Sequence, residues 1–235
     1  MPAEGDLGLL SEALRAALSG GDVAAVLIDR AGDESSRQDA AERLVPIAQA
    51  AGAAAIIVGD TRAAGRSKAD GIHLDLGASD ADDAPPPDDE ASDDAEEDDE
   101  PPPRADPVVA EIAEMVGRFK GKIVGVGGVR SRHAAMAAAE ANADYVLFGL
   151  IDRPDTADTH HKTLAFADWW VPLFEVPCIA LSGATREAVA DAASTGAEFV
   201  AVRSFVWVHE GGPAAAVAEA NAVLDEAFAA RSAAG

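Results

Sequence analysis

Cysteine, positive charge and long apolar runs are all scarce in this chain, and each shortage removes a class of protein. A single cysteine, Cys178, excludes an intrachain disulfide and fits a reducing compartment. It lies within an apolar run, where a buried, inert thiol is expected. The longest apolar stretches, residues 50–58 and 176–181, fall far short of the ~20 residues a membrane-spanning helix needs. Residues 1–21 have neither the basic start nor the apolar core of a signal peptide, so a cytoplasmic protein is expected. Against 42 Asp and Glu there are only 18 Lys and Arg, a formal net charge of −24. Such a surface repels nucleic acid and anionic membrane, and neither is expected as a partner.

The charge is concentrated. Residues 80–106 hold fourteen acidic residues and one Arg, framed by two Pro-Pro-Pro runs and without any apolar residue larger than alanine. Such a segment cannot offset its ordering entropy, so residues 79–106 are expected to be a disordered acidic insertion, most simply a solvated spacer. Residues 1–78 and 107–235 are expected to form a single domain around it. With 49% hydrophobic content in 235 residues, the chain can bury a full core.

On either side of the insertion, short β-branched runs alternate with alanine-rich amphipathic stretches of helical length. The runs are VAAVLIDR (23–30), AAIIVGD (54–60), GIHLD (71–75), IVGVGG (123–128), YVLFG (145–149), CIALSG (178–183) and FVAVRS (199–204). The intervening stretches predict helices over 36–51, 107–119, 130–141, 163–174, 185–195 and 213–230. Strands apolar on both faces that alternate with helices imply a parallel sheet covered by helices. A dinucleotide fold wants GxGxxG after an early strand and an acidic residue about 20 positions on, which this chain lacks. Strands ending in GVGG, LSG and VRS instead match a TIM-type (β/α)8 barrel, which presents backbone amides to phosphate at its C-terminal rim.

The count stops at seven strands, because the chain opens with a helix at 7–18 where a barrel should open with a strand. A barrel lacking its first strand leaves two apolar edges to be covered. An upstream apolar segment, direct apposition of the edges or a second copy in a homo-oligomer would each do so.

The blocks AIIVGD followed by KADGIHL, then GVGGVRSRHAAMAAAEANADYVLFGLIDRPDT, then PCIALSGATREAVADAASTGAEFVAVRSFV resemble the thiamine phosphate synthase and thiazole tautomerase family. The resemblance covers nearly the whole chain apart from the acidic insertion. It implies an enzyme that joins a pyrimidine methyl diphosphate to a thiazole phosphate, with magnesium holding the diphosphate as it leaves. Its substrates would be small phosphorylated metabolites. Gly183, after Ser182, matches the family's phosphate glycine, and Arg203 with Ser204 ends the next strand, where the family also binds phosphate. Arg30 stands in the place of a family lysine, and Lys162 lies near another that contacts diphosphate. Asp60 matches a metal aspartate.

The pattern is also eroded. The family's Gln and Arg on the first full strand are apolar here, the Asn beside the metal aspartate is Gly59, and the second metal carboxylate has no counterpart. Asp75 ends a neighbouring strand and is placed to substitute; His73, two residues earlier on the same strand face, is a further candidate. His160 and His161, among Asp152, Asp155 and Asp158, have no fixed metal spacing and read as a solvated loop. A histidine essential to the tautomerase is replaced by Val129, which disfavours that chemistry. A non-catalytic barrel that binds a phosphorylated metabolite, with the acidic segment as an interaction element, is the alternative of a different class. Trp169 and Trp170 are expected to pack helix against barrel.

Overall fold

The computed structural model describes residues 6–76 and 107–234. The acidic insertion lies outside the described residues. Among the described residues, seven strands follow one another in chain order in one parallel sheet: β1 (Ala25–Ile28), β2 (Ala54–Val58), β3 (Gly71–Asp75), β4 (Ile123–Gly127), β5 (Tyr145–Phe148), β6 (Cys178–Leu181) and β7 (Phe199–Ala201). All seven runs read from the sequence are strands. Around them, among the described residues, lie α1 (Leu7–Leu18), α2 (Glu34–Ala50), α3 (Thr61–Ser67), α4 (Pro107–Arg118), α5 (Arg132–Glu140), α6 (His161–Trp170), α7 (Arg186–Ser194), α8 (Ser204–Trp207) and α9 (Gly212–Ala234). The short α8 is not visible in the periodicity, since a single turn after β7 has no apolar repeat to read.

Side-chain alternation along the strands sorts residues into two cores. On β5, Tyr145 and Leu147 join Ile179 inside the barrel, while Val146 and Phe148 face the outer layer with Cys178, Ala180 and the helical residues Ala167 and Trp170. Trp170 is fully buried, stacks on Phe174 and donates from its indole to the Val176 carbonyl at 2.7 Å. Trp169 is half-buried beneath the Arg132 guanidinium, 5.0 Å from its ring centre. Burial pushes the Cys178 thiol up to about 12, consistent with the inert cysteine expected from its run.

Two large polar rings fill the barrel axis. His73 is 0% exposed, stacks on Tyr145 and shares a 2.9 Å hydrogen bond between Nδ1 and the phenol. Register pairs His73 with Gly125, and Gly125 with Tyr145. A Cβ at Gly125 would fall within the Tyr145 ring, and one at Gly127 would collide with the His73 ring. The glycines of IVGVG therefore make room for the axial rings, besides leading to the rim.

At the N-terminal ends of the strands one device recurs three times. Asp70, Asp144 and Glu198 each stand one residue before β3, β5 and β7 and accept an amide from the first two residues of the preceding strand: Ala55 at 2.8 Å, Val124 at 2.7 Å and Cys178 at 2.9 Å. The signal is in the sequence as ADG, ADY and AEF.

The edges β1 and β7 do not pair with each other. A cluster containing Val23, Val200, Phe205, Val206, Val217 and Ala220 joins the two edges to α8 and α9. Asn221 of α9 accepts from the Asp22 amide at 2.7 Å and donates to its carbonyl at 3.1 Å, just ahead of β1. Gly20 has no room for a Cβ against the Ala214 carbonyl, which lets α9 approach this closely. Phe199, at the start of β7, remains 45% exposed.

Candidate active site

The C-terminal ends of the strands carry polar groups in two separate sectors. The first is formed by β1, β2 and the helices that follow them. Asp29 and Arg30 follow β1, and Gly59, with φ of 68°, turns the chain out of β2 so that Asp60 caps α3. Asp60 Oδ1 accepts the Ala63 amide at 2.9 Å, and Oδ2 accepts Arg37 Nε at 2.9 Å. The Ala63 amide, with help from the Arg37 guanidinium, holds the Asp60 carboxyl below the usual carboxylate range despite partial burial. Arg30, Arg37 and Arg62 line a cleft of about 470 Å³ together with Asp29, Glu34 and Asp60. Its mixed charge suits a polyanion that arrives with a cation.

Asp75 ends β3 beside this sector. Val58 pairs with His73, so Asp60 and Asp75 each lie two residues beyond a matched pair at the C-terminal ends of the strands. Among the described residues no group of three or more His, Cys, Asp and Glu could hold a metal ion. Two carboxylates suffice only for a magnesium that keeps most of its shell as water and phosphate oxygens, and this donor set fits that case. Each Asp60 oxygen already accepts one hydrogen bond and retains a further lone pair.

The second sector is formed by the loops after β5, β6 and β7. Three residues singled out in the sequence, Gly183, Arg203 and Ser204, bond here to the segment that follows β5, and Ser182 stands beside them. The Gly183 amide donates to Thr159 Oγ1 at 3.1 Å; the Ala184 amide donates to the carbonyls of Thr156 at 2.9 Å and Ala157 at 3.0 Å. A Cβ at Gly183 would strike the Ala157 carbonyl, so only glycine allows this approach. Ser182 is buried, and its hydroxyl donates to the Gly183 carbonyl. Arg203 donates through Nε at 2.7 Å, and again through Nη2, to Asp155 Oδ1. It also donates to the carbonyls of Ile151 and Arg153. The Ser204 amide completes the set at 2.7 Å from Asp155 Oδ2. Burial works to raise the Asp155 pKa, but the bonds from Arg203 and Ser204 outweigh it and hold the carboxyl below its usual range.

Asp155 and Thr159 were missed as site residues. The spacing presented them as parts of a polar loop with the histidines, and nothing local shows that one aspartate of three turns inward. His160 instead caps α6, its Nδ1 accepting the Lys162 amide at 3.2 Å, while Lys162 is exposed on the first turn. Arg130 was also missed: it follows the glycines after β4, and its Nε and Nη2 are buried without a hydrogen-bond partner. His73 lies below the rim in the barrel interior. Desolvation lowers its pKa to about 4 and raises that of Tyr145, so both are neutral near pH 7.

A parallel (β/α) barrel with seven strands among the described residues, and polar and cationic groups in two sectors of its C-terminal rim, defines the class: TIM-type barrels. The family model described as thiamine monophosphate synthase matches residues 3–88 and 105–206, and the chain belongs to that family. It is 36% identical over 216 residues to the thiamine-phosphate synthase of Rhodospirillum centenum, covering 90% of this chain and 88% of that protein. It is 31% identical over 230 residues to that of Hyphomonas neptunium, covering 95% and 90%. Among solved structures, thiamine phosphate pyrophosphorylase from Pyrococcus furiosus superposes with a TM-score of 0.65 at 19% identity, covering 92% of this chain and 90% of that one. Among the described residues no helix is long and apolar enough to cross a membrane.

Proposed function

We propose that this protein joins a pyrimidine methyl diphosphate to a thiazole phosphate and releases diphosphate. One observation supports the reading: the same rim carries two sectors of cationic and amide groups, around Arg30 and Arg37 on one side and around Arg203, Ser204 and Gly183 on the other. A transferase with two phosphorylated substrates needs this separation. In the reaction the bond between the methylene carbon and the diphosphate oxygen breaks, and its electron pair leaves with diphosphate. The thiazole ring nitrogen supplies the pair for the new carbon–nitrogen bond.

No proton need be moved, which agrees with the neutral state of His73 and Tyr145 at the barrel axis. The work left to the protein is charge stabilisation and positioning. Arg30 and Arg37 would take the leaving diphosphate, with Lys162 reaching in from α6. Magnesium, when bound, would neutralise part of the diphosphate charge, and Asp60 and Asp75 are the residues that would hold it. Gly183, Ser182, Arg203 and Ser204 would seat the retained thiazole phosphate.

Turnover of the two precursors with magnesium, followed by diphosphate release, tests the reading. The wild type should form thiamine phosphate. Arg30→Ala and Asp60→Ala should each lower kcat/KM by about 100-fold, the scale of removing one preorganised electrostatic partner. Absence of diphosphate release by the wild type would overturn the assignment.

A further inference from the structure

The second sector already contains an anion, and the protein itself supplies it. Asp155 meets the Arg203 guanidinium through Nε and Nη2, and its other oxygen takes the Ser204 amide at 2.7 Å. Its side chain is only 4% exposed, although Asp152, Arg153, Pro154, Thr156, Ala157 and Asp158 around it are all exposed. The guanidinium fork closes on one Asp155 oxygen and the main-chain amide takes the other, and a phosphate, which also offers two oxygens, fits the same pair of donors.

We infer that Asp155 is a built-in competitor for the substrate phosphate: its carboxylate occupies the position of a phosphate at Arg203 and Ser204 and must leave before a phosphorylated ligand can bind. This rests on the reading of the second sector as a phosphate site. Displacement requires little of the fold, because the surrounding residues face water and Asp155 stands in irregular backbone between β5 and α6. The neighbouring amides are covered by the same segment, through Thr156, Ala157 and Thr159. Release of Asp155 therefore loosens the contact that screens Ala184 and Thr185. Phosphate affinity is set by this exchange, and a ligand with two negative charges on its phosphate displaces the single charge of Asp155 where a carboxylate ligand does not.

The test is calorimetric titration of the whole chain with inorganic phosphate at constant ionic strength. Asp155→Asn removes the competing charge with little change of shape and should bind phosphate about tenfold tighter or more, the scale of one charge-assisted bond. Adding Arg203→Ala to Asp155→Asn should abolish the gain. If Asp155→Asn melts cooperatively yet binds phosphate no tighter than the wild type, while Arg203→Ala still weakens binding, Asp155 is a structural pin and the inference fails alone. If binding is indifferent to Arg203 in both backgrounds, the phosphate reading falls with it. Should Asp155→Asn not fold, hydrogen exchange on the wild type decides: saturating phosphate should speed exchange at Ala184 and Thr185, and unchanged or slower exchange overturns the inference.

Discussion

The two ends of this barrel solve the same problem in opposite ways. At the N-terminal end, three carboxylates in equivalent positions before β3, β5 and β7 each accept a strand amide, and the repetition is regular enough to read as ADG, ADY and AEF. At the C-terminal end, the carboxylates Asp60 and Asp155 hold different arginines, cap or cover different segments, and follow no common spacing. Periodic placement is what a fold needs to align its strands. Function requires one particular charge at one particular place, so its residues have no period to betray them.

Between the two ends lie His73 and Tyr145, and disturbing them should have the largest effect because they support both. A Cβ at Gly125 displaces the Tyr145 ring, breaks its bond to His73 and forces the strand pairing on either side. Gly125→Ala should cost about 3 kcal/mol, the upper range of core overpacking, measured by denaturant unfolding. Combining it with Tyr145→Ala should cost clearly less than the sum of the two single changes, since each relieves the other's defect. Additive losses would show that the glycine has another purpose.

This division also sets what could be read in advance. Seven strands and the parallel topology were legible because alternation and glycine endings are local signals. Gly183 and Ser204 were legible through resemblance to known synthases. The partner of Arg203 was not, because Asp155 is 48 residues away and only the fold makes them neighbours. The glycines of β4 were read for their amides, whereas their missing side chains are what the axial rings use. Arg37 as the partner of Asp60 was hidden for the same reason, being on a helix 23 residues earlier.

A moderate effect should follow from removing one member of the regular end. Asp144→Ala leaves the buried Val124 amide without its acceptor and should lower stability by about 1–2 kcal/mol. Phosphate binding at Arg203 should stay unchanged, because the two ends share no hydrogen bond around Asp144. A thermal melt and a phosphate titration on the same sample check both halves; a loss of phosphate affinity comparable to the loss of stability would show that the ends are coupled.

The smallest effect near neutral pH, and the one that grows with acidity, comes from His73. Burial keeps its pKa at about 4 in the folded chain against about 6.5 when unfolded. The unfolded chain therefore binds more protons over that interval, and stability falls as pH falls. The contribution is fully present above about 6.5, declines through the interval and is lost below about 4, amounting to roughly 3–4 kcal/mol in all. Folded carboxylates held below their usual range, Asp60 and Asp155, lose their contribution only further into acid; the slope between the two histidine values comes from His73 together with the exposed His160, which desolvation and the neighbouring His161 also lower. His73→Gln retains a group able to bond the Tyr145 phenol but cannot titrate, and should flatten the unfolding free energy between pH 6.5 and 4. An equally steep profile in His73→Gln would place the acid sensitivity at the charged rims instead of the axis, and would remove the electrostatic independence of the two ends from which the comparison starts.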